Sequence, residues 1–133
     1  MYKRFLIVGG FSGAMAVALG AMGAHFLKSK LETGLITETN LQTFETAAKY
    51  QMYHSIVILV LALFVDKIKL ATSAGYFMMA GIVMFSGSLY LLSLKGLLGL
   101  ENINWVGPIT PLGGLCFIIG WIMLGVAGIK YKQ

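Results

Sequence analysis

His25 and His54 are the only imidazoles in the chain, and any metal or acid-base chemistry would start from them. Together with Glu45, or with Glu32 or Glu38, they offer the ligand types of a two-histidine, one-carboxylate metal site. The spacing argues otherwise. No HxxxH or HxxEH pair sets two ligands on one helix face, so no metal and no cofactor is assigned. Tyr50 and His54 stand at i,i+4, share a face with Ala47, and suit a hydrogen-bonded network between helices. Ser86-Gly87-Ser88-Leu89-Tyr90 has two readings. Its hydroxyls bond back to carbonyls one turn earlier while Gly87 permits close helix contact, or the helix is loosened and its freed carbonyls meet an ion or a lipid headgroup. GxSxG, Walker and HExxH motifs are all missing, so no catalytic residue is assigned and the chain is not read as an enzyme. Cys116 stands alone within an apolar run and reads as a small apolar filler.

The elements that carry these residues follow from composition. Of 133 residues, 58% are AVILMFWYC, 17 are Gly and only 11% are charged. A soluble domain is about 25% charged, so this composition belongs to an integral membrane protein. A soluble enzyme, a disordered tail and a disulfide scaffold are excluded. The length favours one membrane domain over 1–133. Ten Lys/Arg against five Asp/Glu give a net charge of +5, but the cations flank apolar runs, where they meet headgroups rather than nucleic acid.

Four uncharged runs stand between the charges, at 5–27, 50–65, 70–94 and 102–129. A helix needs about 20 residues to cross roughly 30 Å of hydrocarbon. The first, third and fourth suffice alone, and the second, at 16 residues, does not. It is extended by an amphipathic helix over 39–49, in which Glu38, Gln42, Glu45 and Lys49 oppose Leu41, Phe44 and Ala48. Thr39 with Gln42 has capping-box spacing, and Glu45 with Lys49 forms an i,i+4 pair. The expected fold is all-α: an integral membrane four-helix bundle, with an interfacial amphipathic lead-in to the second span. Spans are placed at about 5–25, 48–65, 71–94 and 111–129, the last capped by Thr110 ahead of Pro111. Lys3 and Arg4 ahead of an apolar stretch with small residues also fit a signal peptide; the segment is treated as the first span.

Ser12, Ala16, Gly20 and Ala24 fall at four-residue steps, with Gly9 and Gly13 beside them, and read with Gly87 as helix-packing positions. With both termini cytoplasmic, the inside holds Lys3, Arg4, Lys67, Lys69, Lys130 and Lys132, and the outside Lys28, Lys30, Lys49 and Lys95. That modest bias favours this orientation. Alternating crossings then gather a candidate polar face at the end formed by the first and third connections. Its residues are His25, Glu45, Tyr50, Gln51, His54, Ser86, Ser88, Tyr90 and Thr110.

Five segments carry a family resemblance: Gly20-Ala-Met-Gly-Ala-His25, Thr46-Ala-Ala-Lys-Tyr-Gln-Met-Tyr-His54, Phe85-Ser-Gly-Ser-Leu-Tyr90, Gly107-Pro-Ile-Thr-Pro-Leu-Gly-Gly114, and Gly120-Trp121. In this order they resemble a small bacterial membrane protein family catalogued as domain of unknown function 423, which has a eukaryotic transmembrane relative. The resemblance implies a four-helix protein of the inner or plasma membrane and brings no activity, cofactor or catalytic residue with it. The expected function is a structural or interaction component of the cell membrane, with the lipid bilayer and a second copy or another membrane protein as partners, and no nucleic acid. The alternative is binding or passage of a small solute, ion or lipid headgroup at the face around His25, His54 and Ser86 to Tyr90.

Overall fold

The computed structural model describes residues 1–130, which form helices and turns with no strand. Four long helices follow one another: α1 (Tyr2–Glu32), α2 (Glu38–Leu61), α3 (Lys69–Leu94) and α4 (Ile109–Lys130). Wider π turns interrupt α1 at Gly23–Leu27 and α3 at Ile82–Ser86. A 3-10 turn, Asn104–Val106, leads into α4. Three stretches are long and apolar enough to cross a membrane: α1, α3 and Asn104–Lys130. The polar first half of α2 keeps it out of that group. Lys132, counted among the flanking cations, lies outside the described residues.

Helix ends differ from the sequence expectation in three places. The capping box is Thr37 with Asn40 rather than Thr39 with Gln42: the Asn40 amide donates to Thr37 Oγ1 at 3.2 Å, and the Thr37 amide to Asn40 Oδ1 at 3.0 Å. Asn is short enough to reach back across one turn, so α2 starts earlier than the Gln-based pattern indicates. At its other end, α2 stops at Leu61 and tightens into i→i+3 bonds, Leu63 to Val60 and Phe64 to Leu61, before α3 begins. α4 begins at Ile109, directly after Pro108, and Thr110 is not its cap. Pro111 is tolerated inside because the first-turn amides have no intrahelical partner.

α1 packs along α2, α2 along α3, and α3 along α4; α1 and α4 form no packed pair among the described residues, so the row of helices stays open on one side. The Met1 amino group lies 3.8 Å from Asp66, which puts the start of α1 beside the α2–α3 turn. At the opposite end, Leu27, Ile36, Leu41 and Phe44 form one core with Leu94 and Leu97, joining the first and third connections. Neighbouring helices are therefore antiparallel. Residues 39–49 run without a hinge into the rest of α2, with Leu41, Phe44 and Ala48 buried, but Glu45 and Lys49 do not pair. The Met1–Asp66 contact is the single ion pair among the described residues.

The packing stripe on α1 also differs from the expected one. Phe5, Gly9, Ala16, Gly23 and Leu27 are buried, at intervals of four and seven that stay on one face, while Ala24 is exposed and a side chain on Gly20 would meet nothing. Steps of four drift by about 40° each around a 3.6-residue helix, so the stripe that starts at Ser12 has left the interface by Gly20. Gly87 likewise faces open space. The close approach between α3 and α4 lies elsewhere: a Cβ on Gly113 would collide with the Phe85 backbone, and one on Gly81 with the Phe117 ring.

Candidate functional site

The inner face of α2 carries three buried polar side chains, Gln51, His54 and Ser55. Gln51 joins three helices. Its Nε2 donates to the Ser12 carbonyl on α1 at 3.0 Å, and its Oε1 accepts the Tyr90 hydroxyl of α3 at 2.7 Å. Ser55 Oγ lies 2.7 Å from Ser12 Oγ and 2.6 Å from the Gln51 carbonyl. Ser86 donates across to the Ala47 carbonyl at 2.8 Å. Ser88 donates to the Phe85 carbonyl at 2.9 Å, so the hydrogen between its Oγ and Thr110 Oγ1, 2.6 Å apart, comes from Thr110. That last bond ties α3 to α4.

His54 ties α2 to α4. Its Nδ1 is 2.7 Å from the Tyr50 carbonyl, and Trp121 Nε1 points at its Nε2 from 3.3 Å. An indole N–H can only donate, so Nε2 accepts and the ring proton sits on Nδ1, where it bonds to the Tyr50 carbonyl. The imidazole also stacks on Phe117, with centroids 3.5 Å apart and planes 9° from parallel. Both ring nitrogens are thus occupied by protein partners. No three His, Cys, Asp or Glu side chains lie close enough to hold a metal among the described residues.

Most of the predicted polar residues come together, and two do not. Gln51, His54, Ser86, Ser88, Tyr90 and Thr110 all enter the interhelical network. His25 is exposed on the π turn of α1, and half-buried Glu45 has no side-chain partner among the described residues. The physical reason is rotational: the π turn widens α1 just where His25 would have to face inward. Tyr50 contributes its carbonyl, while its ring lies against Phe85 at 4.7 Å and its hydroxyl has no hydrogen-bond partner among the described residues. In the Ser86 to Tyr90 segment the Ser88 hydroxyl bonds back to the Phe85 carbonyl, the Ser86 hydroxyl crosses to α2, and a π turn ends at Ser86, while Gly87 makes no close helix contact. Ser12 entered the sequence reading only as a packing position, and Ser55 and Trp121 were missed as polar partners. Ser55 follows Gln51, and Trp121 follows Phe117, by one helical turn, a signal that Gln51 alone made readable.

Beside this network, α2 and α4 enclose an open groove of about 540 Å³, walled by Tyr50, Tyr53, His54, Phe85, Phe117 and Trp121. A second trough of about 470 Å³ shares Trp121 and runs past Val60 and Leu124 to Phe64 and Gly128, at the α2–α3 turn. Its lining is apolar throughout.

Residues 19–114 match the family model described as protein of unknown function (DUF423). The chain belongs to this family. Curated relatives match over nearly their whole length. The UPF0382 membrane protein YwdK of Bacillus subtilis is 46% identical over 132 residues, covering 97% of this chain and 98% of its own. UPF0382 membrane proteins of Staphylococcus aureus and Staphylococcus epidermidis are 42% and 40% identical over 130 residues, with the same coverage. No solved structure matches the chain. The DUF423 match takes in Gln51, His54, Ser86, Ser88, Tyr90 and Thr110, while Ser12, Phe117 and Trp121 lie beyond it. The family is one of membrane proteins, as the composition requires.

Proposed function

We propose that this protein is a single four-crossing domain of the cell membrane, with both termini cytoplasmic, that serves as a non-enzymatic structural or interaction component. One observation carries the reading: among the described residues no buried side-chain nitrogen or oxygen lacks a hydrogen-bond partner. In hydrocarbon an unpartnered polar group costs several kcal/mol, and the polar face is used up in holding the four helices to one another. Nothing in that network is left to pass a solute.

The fourth crossing is α2. Between Phe44 and Leu61 it lies beside α1 from Gly23 back to Phe5, a length of roughly 25 Å at 1.5 Å per residue, close to the hydrocarbon thickness of about 30 Å. The polar residues before Phe44 then sit at the headgroup level, and Lys49 snorkels toward it. The open side of the helix row offers a surface for a second copy or another membrane protein. Native mass measurement in lipid nanodiscs and detergent, combined with cross-linking in intact membranes, tests this role. A stable oligomer or a defined membrane partner is expected; a monomer at every concentration with no cross-linked partner would overturn it.

A further inference from the structure

Tyr50 and Tyr53 stand about halfway along the part of α2 that faces α1, and among the described residues neither hydroxyl has a hydrogen-bond partner. Both rings wall the α2/α4 groove and both are exposed, Tyr53 by 55%. Phenols ordinarily sit at the bilayer interface, where water satisfies them. At mid-depth their donors need a partner from the membrane itself. The groove offers donors from Tyr50 and Tyr53, the Trp121 indole being held by His54, and no formal charge. Its walls are mostly flat aromatic rings, and the apolar trough beyond Trp121 continues past Val60 and Leu124 to Phe64 and Gly128.

We infer that this groove binds a neutral lipid of quinone type, a flat carbonyl-bearing ring on a hydrocarbon tail. The ring lies among the exposed Tyr50, Tyr53 and Trp121 side chains with its carbonyls accepting from the tyrosine hydroxyls, and the tail runs along Val60 and Leu124 toward the α2–α3 turn. Gly114 leaves room for the ring: a Cβ there would make only ordinary contact with Phe85, at 3.7 Å, and a longer side chain would fill the groove. The inference rests on α2 lying within the membrane.

The chain has two tryptophans, Trp105 and Trp121, so a Trp105→Phe background makes Trp121 the sole reporter. In nanodiscs of phosphatidylethanolamine and phosphatidylglycerol, a decyl-tailed benzoquinone should quench Trp121 saturably. Replacing both Tyr50 and Tyr53 by Phe, which removes no internal hydrogen bond, should weaken that binding by roughly tenfold or more. Gly114→Leu should abolish the saturable phase while helicity and thermal unfolding stay unchanged. Quenching that rises linearly without saturation overturns the inference. So does full competition by a decyl alcohol, which would make the trough an acyl-chain site, or an Ile118→Cys cross-link showing a second copy across the groove. Spin-labelled lipids separate the two levels: if mid-chain labels fail to quench Trp121, the membrane placement itself is wrong, whereas quenching by those lipids without quinone saturation removes only the quinone site.

Discussion

Tyr90 donates its hydroxyl hydrogen to Gln51 Oε1 at 2.7 Å, joining α3 to α2 where both are surrounded by apolar side chains. The same amide reaches Ser12 on α1, so one side chain fixes the register of three helices. Breaking it should be felt by all three.

Gln51→Leu is expected to lower stability by about 1–2 kcal/mol, because it removes two hydrogen bonds and leaves the Tyr90 hydroxyl without its acceptor. A double-mutant cycle with Tyr90→Phe should give a coupling of about 0.6 kcal/mol, the usual size for such bonds between membrane helices. Reversible unfolding in mixed micelles measures both. Additive effects would mean the bond carries no energy.

Gly113→Ala should be strongly disruptive, whereas Gly20→Ala and Gly87→Ala should be neutral or slightly stabilising. A Cβ at 113 meets the Phe85 backbone, which has no rotamer to yield, while positions 20 and 87 face open space. Replacing Gly by Ala on an open helix face gains about 0.5–1 kcal/mol of helix stability in water, so any change there should be small and upward. Thermal unfolding of the three variants side by side would contradict this if their order were reversed.

Thr72→Val should cost about 1 kcal/mol despite conserving shape. The Thr72 hydroxyl, nearly fully buried, bonds to the Val65 carbonyl at 2.5 Å and closes the turn between α2 and α3. Asp66→Asn in the same turn should change stability too little to measure, since the Met1–Asp66 pair is solvent-exposed and screened. Equal losses in the two variants would refute the distinction.

Helix number and order were legible because three uncharged runs reach the roughly 20 residues that bilayer thickness demands, and the polar helix ahead of the shorter second run could be read as its extension. The polar network was half legible. Antiparallel helices gather Gln51, Tyr90, Ser88 and Thr110 at related levels, and no soluble-protein rule is needed to see it. Rotation about each helix axis was the part that depth alone does not give. His25 lies at the expected end but faces outward, Glu45 is half-buried there without a partner among the described residues, and the four-step stripe on α1 misled because it ignores the drift of a 3.6-residue helix. Glycines that meet an aromatic side chain, Gly75, Gly81 and Gly113, were hidden among 17. What singles them out is an aromatic residue on the facing helix, and sequence does not display that.

The central claim is that α2 crosses the bilayer with the other three helices. Single cysteines at Thr33, Lys67 and Glu101, in a Cys116→Ser background, can be labelled in intact cells with a membrane-impermeant maleimide. Thr33→Cys and Glu101→Cys should react from outside and Lys67→Cys only after permeabilisation. Labelling of positions 33 and 67 from the same side would contradict the account.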